Sequence, residues 1–137
     1  MTTEESPLMR LEHMGFRRVG AWELVYNAPH CVLAECADAA NILYVFVVAG
    51  TVVYIGKTVQ ELKRRLYGYQ RPGPSQSTNR KGNELLVKAL SAAQAVEIYA
   101  LPDNGLLYYG GFHVNLAAGL EDNLVGTLKP SWNRAGI

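Results

Sequence analysis

NILYVFVVAGTVVYIGKTVQELKRRLYGY, residues Asn41 to Tyr69, is the stretch whose reading decides the fold of this 137-residue chain. Ile42 to Val48 is β-branched and aromatic, Ala49-Gly50 suits a turn, and Val52 to Ile55 resumes the same chemistry, which together describe a β-hairpin. A three-residue loop, Val48-Ala49-Gly50 with Gly50 left-handed, would set Tyr44 directly across from Tyr54. A two-residue Ala49-Gly50 turn would put the two tyrosines on opposite faces. After Gly56 comes Thr58-Val59-Gln60-Glu61, where Thr58 can bond an orphan amide and Glu61 can reach back, so a helix is expected to start here. Val59, Leu62 and Leu66 recur on it at helical spacing, with Arg65 and Tyr69 one turn apart beside that stripe. Tyrosines, a lysine and an arginine thus converge on one edge of a small apolar platform.

Upstream, residues 1 to 7 are expected to fray, and Leu8 to Met14 to form a short helix with Leu8 and Leu11 inward and Gly15 as its stop. Phe16 to Tyr26 and His30 to Glu35 have strand composition around an Asn27-Ala28-Pro29 turn. Downstream, Gln70 to Gly82 is rich in Pro, Gly, Ser, Thr and Asn and reads as a long loop. Its Ser75, Gln76, Ser77, Thr78 and Asn79 suit hydrogen bonds to phosphates and base edges. Asn83 to Ala93 has helical periodicity and Ala95 to Leu101 makes a third strand. Pro102-Asp103-Asn104-Gly105 breaks the chain, Leu106 to Phe112 fits neither period, and a last helix spans about His113 to Leu128 with Pro130 beyond its end. In that helix Glu121 shares a face with Ala117, Ala118, Leu124, Val125 and Leu128, while Asp122 points away. A carboxylate on an apolar face needs a partner, either a cation such as Arg65 or Lys57 or a metal ion.

Near-half apolar content with 18% charged residues describes an ordinary single-domain globule. With no apolar run of spanning length and an acidic, polar MTTEESP start, a cytoplasmic protein is expected. Cys31 and Cys36 then read as free thiols, and His30 adds too few ligands for a zinc site. The net charge of +1 hides an asymmetry: Lys57, Lys63, Arg64, Arg65, Arg71, Arg80 and Lys81 stand against Glu61 alone, a local +6, while residues 1–56 sum to −3 and 82–137 to −2. Such a basic stripe suits a phosphate backbone, or else a solvated helix face.

Ile42-Leu43-Tyr44, Tyr54-Ile55-Gly56-Lys57-Thr58, Leu62-Lys63-Arg64-Arg65-Leu66 and Tyr69 resemble the ordered motifs of the GIY-YIG nuclease superfamily. Glu121 followed by Pro130-Ser131-Trp132-Asn133 resembles its metal-binding glutamate and Pro-x-x-Asn ending. The resemblance covers residues 41–137, with Ile42 where the family's leading glycine stands. It implies an α+β fold with a small three-stranded antiparallel sheet flanked by helices. Residues 1–40, a helix and hairpin, would be an extension packed on that 41–137 nuclease domain.

The activity implied is divalent-metal-dependent endonucleolytic hydrolysis of DNA, single- or double-stranded, with flexible or branched strands suited to so small a chain. Glu121 would hold one Mg²⁺ or Mn²⁺ ion, and Arg65 would clamp non-bridging phosphate oxygens. Tyr44 would be the general base, drawn toward phenolate by Lys57 and the metal, with Tyr54 positioning phosphate or water. Tyr69 could orient the water, and Asn133 would bond near the site and pin the chain end. Lys63, Arg64, Arg71, Arg80 and Lys81 are the expected backbone-binding residues. A non-cutting nucleic-acid-binding module and a protein-interaction domain are the alternatives, and monomer or homodimer is left open.

Overall fold

In the computed structural model, which describes residues 5–103 and 105–137, the first ordered element is helix α1 (Pro7–Met14). Ser6 caps it by accepting the Met9 amide, and Gly15, at φ +115°, ends it as the sequence predicts. Only residues 5–7 of the segment expected to fray are described, with Asn104 of the later chain break also outside the described set. Strands β1 (Arg17–Val25) and β2 (Ala28–Leu33) form a hairpin around Tyr26-Asn27, one residue earlier than the expected turn. Strands β3 (Ile42–Val48) and β4 (Thr51–Thr58) follow, then helices α2 (Leu62–Gln70) and α3 (Ser77–Ser91). Strand β5 (Val96–Pro102), a small hairpin of β6 (Tyr108–Tyr109) and β7 (Phe112–His113), and helices α4 (Leu116–Leu128) and α5 (Ser131–Arg134) complete the chain.

The main sheet has five antiparallel strands in the order β2-β1-β5-β3-β4, not three. The expected three-strand core β4-β3-β5 is present, but β5 offers a second edge, and β1 pairs along it from Arg17 to Trp22. The N-terminal hairpin therefore widens the sheet in its own plane instead of covering a face, because Val19 and Trp22 of β1 point into the same core as Phe46 and Ile98. All seven residues of β3 are buried, which explains the unbroken apolar run.

Two cores sandwich the sheet. On one face Leu62, Leu66 and Tyr69 of α2, Leu86 and Ala89 of α3 and Trp132 of α5 pack over Tyr44, Phe46 and Tyr54. On the other, Leu11 of α1 and Ala117, Leu120, Leu124, Val125 and Leu128 of α4 pack over Leu43, Val45 and Ile55. No described helix is long and apolar enough to cross a membrane. Cys31 and Cys36 are free and half-buried, and burial pushes the Cys31 thiol up to about 12.

Two helix boundaries depart from expectation for identifiable reasons. Helix α2 starts at Leu62, after an Thr58 side-chain turn that accepts the Gln60 amide, and Val59 is 76% exposed, outside the stripe. Its first amides are satisfied by the carbonyls of Ala39 and Ala37, so the predicted reciprocal cap through Glu61 is not needed. Helix α3 begins at Ser77, taking half of the predicted loop. Its inward positions there are Asn79 and Gly82, polar and small, so no apolar period marked the first two turns.

Candidate active site

The β3–β4 hairpin closes through a two-residue Ala49-Gly50 turn with both φ values positive, pairing Val48 with Thr51. That turn alone would separate the two tyrosines, but Val53 is an extra residue, a bulge between the Val47–Val52 and Phe46–Tyr54 pairs. The bulge reverses the alternation, so Tyr44 lies opposite Gly56, Tyr54 opposite Phe46, and both tyrosines face α2. Neither simple turn expected from the sequence describes this register.

Three phenols meet there. Tyr69 donates to Tyr54 (3.1 Å) and lies 2.9 Å from the Tyr44 hydroxyl, while Arg65 Nη2 donates to Tyr69 Oη at 2.7 Å. A phenol has one hydrogen, and that of Tyr69 goes to Tyr54, so Tyr44 is the donor to Tyr69. The relay runs Tyr44 to Tyr69 to Tyr54, and the Tyr54 hydrogen is the one left to point onward. The Arg65 guanidinium also lies over the Tyr69 ring, 4.3 Å from its centroid. Tyr69 is fully buried, within the α2 stripe and not beside it.

Tyr44 is completely enclosed, and burial pushes its phenol up, reinforced by Tyr54 and only partly opposed by Arg65. With protein groups alone around it, this environment favours the neutral donor. Tyr69 is pushed up likewise, first by burial and then by Tyr44 and Tyr54. Arg65 loses solvation by burial, but the phenols around it hold its proton more firmly.

Glycines make these close contacts possible. A Cβ on Gly56 would sit 2.5 Å from Tyr44 Cζ, one on Gly82 2.5 Å from Tyr69 Cδ1, and one on Gly68 3.0 Å from Asn79 Nδ2. Gly56→Ala is expected to cost about 1–3 kcal/mol, because the ring it meets is buried and cannot swing away. Thermal unfolding checks this; an unchanged melting temperature would contradict it.

Asn133 is spent on the backbone. Its Oδ1 accepts the Ile55 amide and its Nδ2 donates to the Ile55 carbonyl, both at 2.9 Å, stitching α5 to the outer edge of β4. This is the pinning role expected of it, performed on a strand edge. Losing both bonds in Asn133→Ala is expected to lower stability by about 1–3 kcal/mol, read by denaturant midpoint.

Lys57 and Glu121 lie elsewhere. Lys57 is opposite Leu43 on the α4 face of β4, and Glu121, half-buried, follows Ala117 by one turn and precedes Val125 by another. Burial raises the Glu121 carboxyl above its usual range, the Asp122 carboxyl raises it further by sharing a hydrogen bond, and Lys57 opposes both. Asp122 is thus Glu121's near neighbour, although it is exposed and was expected to point away. Arg65 and the phenols thus lie on the α2 side of the edge strand β4, and Lys57 and helix α4 with Glu121 on its other side, because side chains alternate along the strand.

The Arg65 side opens into a cleft of about 480 Å³ lined by Gln60, Arg64, Gly68 and Ser75 to Asn79, with no acidic side chain among the described residues of its wall. Gln76 and Asn79 enter the sequence reading only as loop residues suited to phosphate and base-edge bonds; the spacing of Asn79 and Gly82 with Leu86 and Ala89 is the signal that sets them on a helix. Of the expected backbone-binding residues, Lys63 is tied to Asp38 at 2.6 Å and Lys81 donates to the Ala135 carbonyl at 2.8 Å. Arg64 pairs with Glu61 at 3.4 Å at the cleft wall, and Arg71 and Arg80 are exposed.

The fold, a five-stranded antiparallel sheet between two layers of helices, resembles two proteins of known structure. It is similar to bacteriophage T4 EndoII, solved in a mutant form, with a TM-score of 0.73 at 19% identity over 94% of this chain and 99% of that one. The restriction endonuclease HPY188I in complex with product DNA has a TM-score of 0.56 at 14% identity over 97% and 82% of the two chains. No family model and no curated protein matches the sequence.

Proposed function

We propose that the protein is a divalent-metal-dependent DNA endonuclease of GIY-YIG type. The observation that carries this reading is the Arg65 guanidinium, fixed at the lip of a polar cleft and backed by a relay of three phenols. A planar cation held this way matches the non-bridging oxygens of a phosphodiester. The likeness to EndoII and to a restriction endonuclease caught with product DNA supports the same class of substrate.

In this reading Arg65 binds and orients the scissile phosphate and neutralises the charge that grows on it. Tyr54, the outer end of the relay, donates a hydrogen bond to a phosphate oxygen through its remaining hydrogen. Tyr44 and Tyr69 keep that hydroxyl aimed and hold Arg65 in place. Lys57 flanks the same strand edge from the other face and offsets charge near Glu121.

Glu121 and Asp122 suit a hard cation, being two adjoining oxygen donors whose mutual repulsion a cation would relieve. No cluster of three ligating side chains is present among the described residues, which fits an ion that keeps most of its waters. Bound there, Mg²⁺ or Mn²⁺ would stabilise the leaving oxygen of the cleaved strand. The exposed Tyr109 and Phe112 pair on the β6–β7 hairpin offers faces for stacking unpaired bases, so flexible single strands are the favoured substrate.

Supercoiled plasmid and matched single- and double-stranded oligonucleotides, with Mg²⁺, Mn²⁺ or chelator, test the reading. Nicking that chelator abolishes is expected, with single strands cut faster. Salt-sensitive binding without any cut would instead identify a non-catalytic module, and equal cleavage of both substrates would remove the strand preference.

A further inference from the structure

We propose that Asn79 is the positioning residue that fixes the orientation of Arg65 for phosphate binding, an inference that rests on the endonuclease reading. Arg65 Nη1 donates to Asn79 Oδ1 at 2.8 Å while Nη2 donates to Tyr69 Oη at 2.7 Å. The Tyr69 ring beneath the guanidinium sets its plane, and these two bonds at opposite corners set its rotation within that plane. A guanidinium has five N–H donors, so Arg65 keeps others to offer to the cleft, which both Arg65 and Asn79 line.

Asn79 is itself held. Its Nδ2 donates to Gln76 Oε1 at 3.1 Å, and the same oxygen accepts the Gly73 amide at 2.9 Å. The Asn79 side chain therefore does not cap its own helix. It is oriented from the loop that precedes α3 and turned toward α2. Glycine inside a helix costs about 1 kcal/mol relative to alanine. Gly68 sits where a Cβ would come within 3.0 Å of Asn79 Nδ2 and 3.4 Å of Arg65 Nη1. The close approach of Asn79 and Arg65 thus accounts for a glycine inside α2.

A residue that acts through Arg65 has a distinctive signature. In single-turnover cleavage of an oligonucleotide, Asn79→Ala is expected to lower the rate about 10- to 100-fold with little change in substrate affinity, as expected for a misaligned clamp. In an Arg65→Ala background the same change should cost nothing further, because the group it positions is gone. Equal losses in both backgrounds would overturn the proposal. Nitrogen NMR of the Arg65 guanidinium supplies a second measurement that needs no activity. The two Nη sites should be distinct in the wild-type protein and average in Asn79→Ala; an unchanged spectrum would also overturn it. A wild-type protein that cuts nothing would sink the endonuclease reading, while the guanidinium spectrum would still decide whether Asn79 holds Arg65.

Discussion

Glu121→Ala should reduce metal-dependent cleavage by about 10³-fold or more, the equivalent of about 4 kcal/mol of transition-state stabilisation from a bound divalent cation. The proposal behind this number is that Glu121 supplies the carboxylate of the ion site, so the variant should lose the ion along with the rate. Mn²⁺ should raise the melting temperature of the wild-type protein and leave that of Glu121→Ala unmoved. Burial and the adjoining Asp122 raise the Glu121 carboxyl, and the direction fixes two pH dependences. Without metal, the unfolded chain ionises first as pH rises through the ordinary carboxylate range, so this group's contribution to stability falls until the folded carboxyl also ionises. At limiting metal, cleavage should rise with pH as this carboxyl ionises, since only the ionised form binds a cation. A Glu121→Ala variant that still cuts at the wild-type rate with Mg²⁺ would remove this residue from the chemistry.

Arg65→Ala should slow single-turnover cleavage about 10²- to 10³-fold, the usual loss when one preorganised donor to a developing charge is deleted. Arg65→Lys should recover little of it, because an ammonium cannot bond Tyr69 and Asn79 at once and still present a planar fork. Both variants also leave the Tyr69 hydroxyl short of a donor in a buried setting, so melting temperatures must accompany the rates. A rate that falls only as far as the folded fraction falls would reduce Arg65 to a structural role.

What could be read from the chain alone follows from how local the determining interactions are. The β3–β4 hairpin, the α2 stripe through Leu62 and Leu66, and the face shared by Ala117, Glu121 and Val125 are short-range patterns, and the folded chain has them. The bulge at Val53 is a single-residue shift that periodicity cannot detect, yet it decides which face Tyr54 takes. The pairing of β1 with β5 joins residues some eighty positions apart, as Arg17 with Ala100, and strand composition does not say which edge a hairpin will find. At the site, Arg65, Tyr54 and Tyr69 were visible as a motif, and their meeting is found. The bond from Arg65 to Asn79 is not legible because it joins two helices, and the first turn of α3 has polar residues where a helix normally buries apolar ones.

The intimate fit of Gly56 beneath the Tyr44 ring carries a consequence for descent. A methyl at position 56 and a ring at position 44 compete for one volume, so neither site can drift by itself. Lineages that enlarge the first should be found to have shrunk the second, and with it to have dismantled the inner end of the proton chain. Paired loss at these two positions would mark descendants that kept the scaffold after giving up its chemistry.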